Sequence, residues 1–168
     1  MARATANAVA EAPGLSQPQL EGILRRCVAG DTLIYGAAIG FEPYAFDPAR
    51  RLVAPYVFRR GEALVAIDIG ADAYDYTDAE WEWYVRPVAS KRPCWTEPYY
   101  DRDAGETLMC TYGAPIVRDG AIVGVATVDV AVEELRSRLE VDRFESGSFV
   151  LLSPGGRFID APDPGLIG

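Results

Sequence analysis

Apolar and polar positions alternate with period two along Thr107 to Val117 and again along Ala121 to Val130, on either side of Arg118-Asp119-Gly120. Alternation of that length predicts two strands with one buried face each. Asp-Gly between such runs is the strongest short-range hairpin signal, because a type I′ turn needs positive φ at both central residues. Counting outward from Asp119-Gly120 as a two-residue loop predicts Tyr112 opposite Thr127 and Cys110 opposite Asp129. In that register Cys110, Tyr112, Ala114 and Ile116 share a face with Val123, Val125, Thr127 and Asp129. The face is apolar near the turn and polar at its far end, where a carboxylate stands beside a phenol. The far end is expected to floor a small-molecule pocket. The aromatic stretch Trp81 to Asp101 is expected to wall it.

The rest of the chain reads in the same terms. Ala2 to Ala12 is helix-forming and ends at Pro13-Gly14. Ser16 is an N-cap, and Leu20, Ile23, Leu24, Cys27 and Val28 then recur as one helical stripe that Gly30 closes. That stripe fits a sheet-packed helix and a dimer-forming helix equally. Leu33 to Phe41, Leu52 to Arg60 and Ala63 to Ile69 read as three strands. Ala79 to Val85 reads as a helical turn. Glu133 to Val141 is a short amphipathic helix with Leu135 and Leu139 one turn apart. After a composition break at Asp142 to Gly147, Ser148 to Leu152 and Arg157 to Asp160 read as a second hairpin around Ser153-Pro154-Gly155-Gly156. Helices gathered beside an antiparallel sheet predict an α+β domain.

Composition narrows the function classes. The chain has 168 residues, 49% hydrophobic and 24% charged, with a formal net charge of −9. That charge argues against nucleic acid and anionic membrane surfaces, both of which need a basic patch. There is no histidine, which removes the commonest general base and metal ligand. Cys27, Cys94 and Cys110 lack metal-ligand spacing and read as reduced thiols. No apolar run is long enough to span a membrane, and Met1 to Gly14 lacks the apolar core of a signal peptide. The chain is therefore either cytoplasmic or a piece of a longer one.

Several short motifs, in order and spacing, are similar to the double Cache (PAS-like, PDC) extracytoplasmic sensor domains of bacterial signalling receptors. They are Ile34-Tyr35-Gly36 with Phe41-Glu42-Pro43, Ala54-Pro55-Tyr56-Val57, Trp83-Tyr84, Trp95-Thr96-Glu97-Pro98-Tyr99, Thr111-Tyr112 with Pro115-Ile116, and Gly124-Val125 with Asp129-Val130. The resemblance implies a PAS-like antiparallel sheet of about five strands with an N-terminal helix and flanking helices. It divides the chain into an N-terminal helical segment (1–31), a membrane-distal ligand-binding module (32–141) and the incomplete start of a second module (142–168). It also implies flanking transmembrane helices and an output domain in the native chain, a periplasmic location, and a homodimer formed through the N-terminal helix. Amino-acid-binding members carry Arg, any residue, Trp, Tyr in the wall and Asp on the last long strand. Trp83, Tyr84 and Asp129 match that pattern, while Trp81 stands where the carboxylate-pairing Arg is expected.

The residues themselves support a ligand cup more than a catalytic centre. Asp129 accepts hydrogen bonds from an ammonium strongly, and Trp and Tyr faces attract cations. The expected site is Trp83, Tyr84, Trp95, Tyr99, Tyr112 and Asp129, binding a small amine or amino compound without cofactor or metal. Glu97 is expected to fix a loop by accepting backbone N–H groups. A carboxylate-binding site using Arg86 is the second reading, and a ligand-free dimerisation or spacer module the third. An enzyme pairing Asp129 with Glu97 or Asp101 lacks a nucleophile elbow, a phosphate loop and a metal set.

Overall fold

The structure, a computed structural model, describes residues 1–141, 150–153, 155–161 and 163–166. Two helices, α1 (Ala2–Glu11) and α2 (Gln17–Ala29), come first. The start of α2 is fixed locally: Pro18 lies in its first turn and the Gln19 side chain accepts the Ser16 amide at 2.8 Å. A sheet follows, from β1 (Gly36–Phe41), β2 (Pro55–Arg60), β3 (Ala63–Asp68), β4 (Cys94–Trp95), β5 (Tyr99–Asp101), β6 (Thr107–Arg118) and β7 (Ala121–Ala131). The short helices α3 (Ile69–Asp72) and α4 (Glu82–Ser90) interrupt it, and α5 (Val132–Val141) follows it. The strand order is β3-β2-β1-β7-β6-β4, with β5 also pairing β6, and every pairing is antiparallel. The expected five strands are present, with two short ones added along β6. The α+β architecture is as the hydrophobic pattern predicts.

Each face of the sheet has its own core. On one side Ala37, Ile39, Phe41, Val57, Ala114, Ile116, Ala126 and Val128 meet Ala6, Val9, Leu20, Leu24 and Val28 of α1 and α2. Leu20, Leu24, Cys27 and Val28 of the α2 stripe thus pack on the sheet. On the other side Ala38, Tyr56, Phe58 and Val125 meet Tyr76, Trp83 and Tyr84. Small residues on β1 make room for these rings. A Cβ at Gly40 would sit 3.0 Å from the Trp83 ring and 3.2 Å from the Tyr84 ring.

The central hairpin forms where expected, with Asp119 at φ 52° and Gly120 at φ 79°. Its register departs from the count. Val117 pairs with Ile122, but Ile116 pairs with Gly124, so Val123 is an extra residue in β7. Its carbonyl is taken by the Glu42 amide at 3.0 Å, just past the end of β1. Beyond this bulge every pair is shifted by one. Tyr112 faces Val128, Cys110 faces Val130, and Thr111 faces Asp129. The face carrying Asp129 therefore holds Thr111 rather than Cys110 and Tyr112. Burial pushes the Cys110 thiol up to about 11, and all three cysteines are free.

A second small hairpin pairs β8 (Leu151–Leu152) with β9 (Phe158–Asp160). The predicted composition break at 142–147, the first residues of the predicted strand at 148–149 and Pro154 of its turn lie outside the described residues. No described helix is long and apolar enough to cross a membrane.

Candidate ligand-binding site

Asp129 lies on β7 beside Gly36 of β1, on the face away from α1 and α2. It is 4% exposed. Thr111 donates its hydroxyl to Asp129 Oδ1 at 2.8 Å. With that proton committed, the Tyr99 hydroxyl donates to Thr111 Oγ1 at 2.9 Å. A relay of two hydroxyls thus runs from the wall to the carboxylate. Thr111 is itself fixed through its backbone, whose amide donates to Thr96 Oγ1 at 3.0 Å and whose carbonyl accepts from Thr96 N at 2.9 Å.

Burial pushes the Asp129 carboxyl up to about 6, against the Thr111 hydroxyl and the neighbouring Tyr56 hydroxyl, which favour the charged form. The Asp101 charge adds to the rise. Among the described residues no Lys or Arg forms a salt bridge with Asp129 or with Asp101. Buried charges are ordinarily paired, so these two carboxylates stand out.

Other polar atoms around them lack partners too. Tyr56 Oη, Trp83 Nε1 and Asp101 Oδ1 are enclosed and make no hydrogen bond. Tyr56 Oη and Asp129 Oδ2 both crowd Gly36, where a Cβ would meet them at 2.5 and 2.8 Å. The two oxygens lie close to one another without hydrogen-bond geometry. Tyr74 completes the wall, its ring stacked on Trp81 with centroids 3.5 Å apart. Trp81, at the start of α4 where the resemblance expects Arg, therefore contributes an aromatic face. A cavity of about 160 Å³ is lined by Glu80, Trp81, Glu82, Glu97, Pro98, Tyr99 and Arg157; it shares Trp81 and Tyr99 with this wall, and Asp129 is not in its lining.

The expected site residues separate into two groups. Trp83, Tyr99 and Asp129 come together on the inner face. Tyr84 is buried beside Trp83, but its hydroxyl donates to Glu42 Oε1 at 2.7 Å, so its polar end is already satisfied. Trp95 and Tyr112 pair across β4 and β6 on the opposite face, with ring centroids 5.2 Å apart. Trp95 is 43% exposed there, and the Tyr112 hydroxyl accepts from Arg3 Nε of α1 at 2.9 Å. The one-residue shift at Val123 is what moves Tyr112 away from Asp129. Arg86 turns to the Trp95 carbonyl at 3.1 Å and to Glu82 at 3.6 Å. Glu97 acts as a loop-fixing acceptor: Gly155 N donates to it at 3.0 Å and the Ser153 hydroxyl donates to its other oxygen.

The sequence does not place Tyr56, Tyr74 or Thr111 beside Asp129, and it offers Asp101 only as the partner of Asp129 in an enzyme reading. Tyr56 and Thr111 were within recognised motifs, but nothing in those motifs says which face a residue takes.

Residues 20–137 match the family model described as methyl-accepting chemotaxis protein-like, first PDC sensor domain. The chain is 34% identical over 93 residues to the methyl-accepting chemotaxis protein TlpQ of Pseudomonas aeruginosa, covering 51% of this chain and 13% of TlpQ. Among solved structures it resembles the extracellular domain of a protein described as a histidine kinase, soHK1S-Z6, at 32% identity and a TM-score of 0.82. That match covers 98% of this chain and 64% of the other. It shares the fold of the amino acid chemoreceptor PctC of P. aeruginosa, solved with GABA, at 20% identity and a TM-score of 0.65, over 99% of this chain and 68% of that one. The chain thus spans a small part of TlpQ and just under two thirds of the histidine kinase domain.

Proposed function

Because the chain belongs to the family of first PDC sensor domains of methyl-accepting chemotaxis protein-like receptors, we propose that it senses a small amine or amino compound in the cup beside Asp129. The supporting observation is a carboxylate enclosed under aromatic rings with no cation paired to it among the described residues. A ligand ammonium supplies the missing partner. It gains a charged hydrogen bond to Asp129 and the faces of Trp83 and Tyr99, each aromatic contact being worth about 0.5–2 kcal/mol. The reading keeps Trp83, Tyr99 and Asp129 from the sequence and adds Tyr56, Tyr74 and Thr111. Trp95 and Tyr112, on the other face, have no part in it, and Tyr84 supports Trp83 by packing.

In the native receptor the chain is the extracytoplasmic part of a membrane protein, with 32–141 as the membrane-distal module and 142–168 opening a second one. Binding shifts the packing between the sheet and α1 and α2, and the change travels to the membrane through the N-terminal segment. A ligand moves such a balance only by its differential affinity for the two states. The domain binds and does not turn over its ligand. A carboxylate ligand held by Arg86 has less support, since Arg86 already faces the Trp95 carbonyl and Glu82.

Thermal unfolding of the chain against a panel of amines, amino acids and carboxylates tests the proposal. Amines or amino compounds are expected to raise the melting temperature of the wild type and to leave Asp129→Asn unmoved. Stabilisation by carboxylates alone, or equal stabilisation of Asp129→Asn, contradicts it. A panel without any hit favours the spacer reading.

A further inference from the structure

Both N-terminal helices pack on one face of the sheet, but their polar ties run to different strands. α1 is strapped to β6 near each end. In its first turn Arg3 donates Nε to the Tyr112 hydroxyl at 2.9 Å and lies over the Tyr112 ring, 5.9 Å from its centroid. In its last turn the Val9 and Ala10 carbonyls accept from the Arg118 guanidinium at 3.1 and 3.4 Å. α2 is tied to β2 and β3 instead. Arg59 of β2 donates to the Val28 carbonyl at 2.5 Å and to the Asp31 carbonyl at 3.3 Å. Arg25 donates to the Leu64 carbonyl of β3 at 3.0 Å, and Gln17 donates to Asp68 at 3.2 Å. The cup on the other face spans the same division. Tyr56 stands on β2, while Thr111 of β6 and Tyr99 of β5 stand on the far side of β7. Thr111 and Tyr112 are neighbours on β6 and take opposite faces, one bonded to Asp129 and the other to Arg3. A displacement of β6 at the cup therefore reaches α1 through the very next residue.

We infer that α1 is the output element of the cup, and that the straps from Tyr112 to Arg3 and from Arg118 to Val9 and Ala10 carry the movement of β6 to it, while α2 moves with β2 and β3. The inference rests on the amine-binding reading of the Asp129 cup. An ammonium at Asp129 competes with the Thr111 hydroxyl for the same carboxylate, so occupancy acts on β6 directly. The straps turn that local exchange of partners into a displacement of one helix against the other. Ala6 and Val9 keep α1 seated on Ala114 and Ile116 throughout, so the helix shifts without leaving the sheet.

Amide exchange tests the coupling, read as the ratio of rates at Val9 and Ala10 of α1 to those at Leu24 and Val28 of α2. Global unfolding moves both helices alike and leaves this ratio unchanged. Saturating n-butylamine is expected to change the ratio about fivefold or more, the lower end of ordinary coupling between sites. Tyr112→Phe combined with Arg118→Gln is expected still to bind n-butylamine in titration calorimetry and to lose the change in the ratio. A ratio that bound n-butylamine leaves unmoved, or a change that persists in the doubly substituted chain, overturns the straps as couplers and leaves the amine reading standing. Absence of n-butylamine binding overturns the amine reading, and Thr111→Val, which cuts the relay to Asp129 from within, then carries the comparison. A shifted ratio that the double substitution abolishes supports the coupling, and an unmoved ratio defeats it.

Discussion

Thr111 and Asp129 face each other across β6 and β7, joined by a 2.8 Å hydrogen bond, because Val123 adds one residue to β7 between them and the turn. Without the bulge the partner of Asp129 would be Cys110, and Thr111 would face the helices. The polar end of the cup depends on Val123 being left out of the pairing. Deleting Val123 keeps Thr111 opposite Asp129, because Gly124 then follows Ile122 directly in the ladder, and it removes the carbonyl that accepts the Glu42 amide. The chain is expected to unfold cooperatively in denaturant by circular dichroism, with a loss of about 0.5–1.5 kcal/mol for that hydrogen bond; loss of cooperative unfolding would show that the bulge itself is needed for both cores.

Asp129 gives the apo protein a defined pH dependence. Its folded carboxyl is raised to about 6 from 3.8 by burial. The folded state therefore holds the proton more tightly than the unfolded chain does. Stability from this group is fully present below the unfolded value and is lost as pH rises through about 6, a change on the order of 3 kcal/mol. Asp129→Asn is neutral at every pH and still accepts from Thr111. Its unfolding free energy is expected to match the wild type near pH 4 and exceed it above pH 7. Denaturant titrations of both proteins across pH 4 to 8 measure the difference. Parallel curves would show that the carboxylate is not held in a desolvated place.

Thr111→Val tests the relay from Tyr99. The substitution keeps the β-branched shape and removes both hydroxyl contacts. Asp129 then loses a donor to its charged form, so its titration moves further up, and the Tyr99 hydroxyl loses its acceptor. The expected cost is about 1–3 kcal/mol at neutral pH. Carboxyl titration by NMR, comparing Thr111→Val with the wild type, gives the direction.

Much of this fold was legible because its signals are local. The Asp119-Gly120 turn, the stripe of α2 and the two long alternating strands follow from turn chemistry and periodicity. Asp129 was legible for a related reason: an acid closing an apolar run on a predicted inner face needs a partner. Tyr112 was misplaced by arithmetic that had no way to count Val123, since the residue is an ordinary Val and its carbonyl is claimed by the distant Glu42 amide. Tyr56 and Asp101 sit on strands of six and three residues. Their facing is set by pairing with β1 and β6, a non-local fact. The Trp95–Tyr112 pair reads as pocket wall in sequence and as outer surface in space for the same reason.

Gly36 is the residue whose missing side chain lets Tyr56 and Asp129 close over β1. Gly36→Ala would set a methyl 2.5 Å from Tyr56 Oη and 2.8 Å from Asp129 Oδ2. Both neighbours are enclosed, so neither retreats easily, and overpacking of this kind costs about 1–3 kcal/mol. Ligand stabilisation is expected to fall more than fold stability does, because the methyl enters the space between the two oxygens. Melting curves with and without ligand separate the two effects. Equal losses would mean that Gly36 serves packing alone.

Glu97 joins the wall of the cup to the β8–β9 hairpin, two residues before Tyr99. Its carboxylate accepts from Gly155 N at 3.0 Å and from the Ser153 hydroxyl, which in turn accepts the Arg157 amide at 3.0 Å. Among the described residues the hairpin also has a polar tie from Arg136 to Asp160 at 2.8 Å. Glu97→Ala leaves the Gly155 amide without its acceptor while the α5 tie remains. Amide exchange at Gly155 and Arg157 is therefore expected to accelerate at least tenfold, or about 1.4 kcal/mol of lost local protection. Exchange in β6 and β7 is expected to stay at wild-type rates, because their ladder does not use Glu97. Adding Arg136→Ala should release the hairpin further than the two single losses combined, since either tie alone limits its motion. Unchanged exchange at Gly155 in Glu97→Ala would show that the hairpin is held by its apolar contacts and that Glu97 carries nothing between the cup and the segment beyond it.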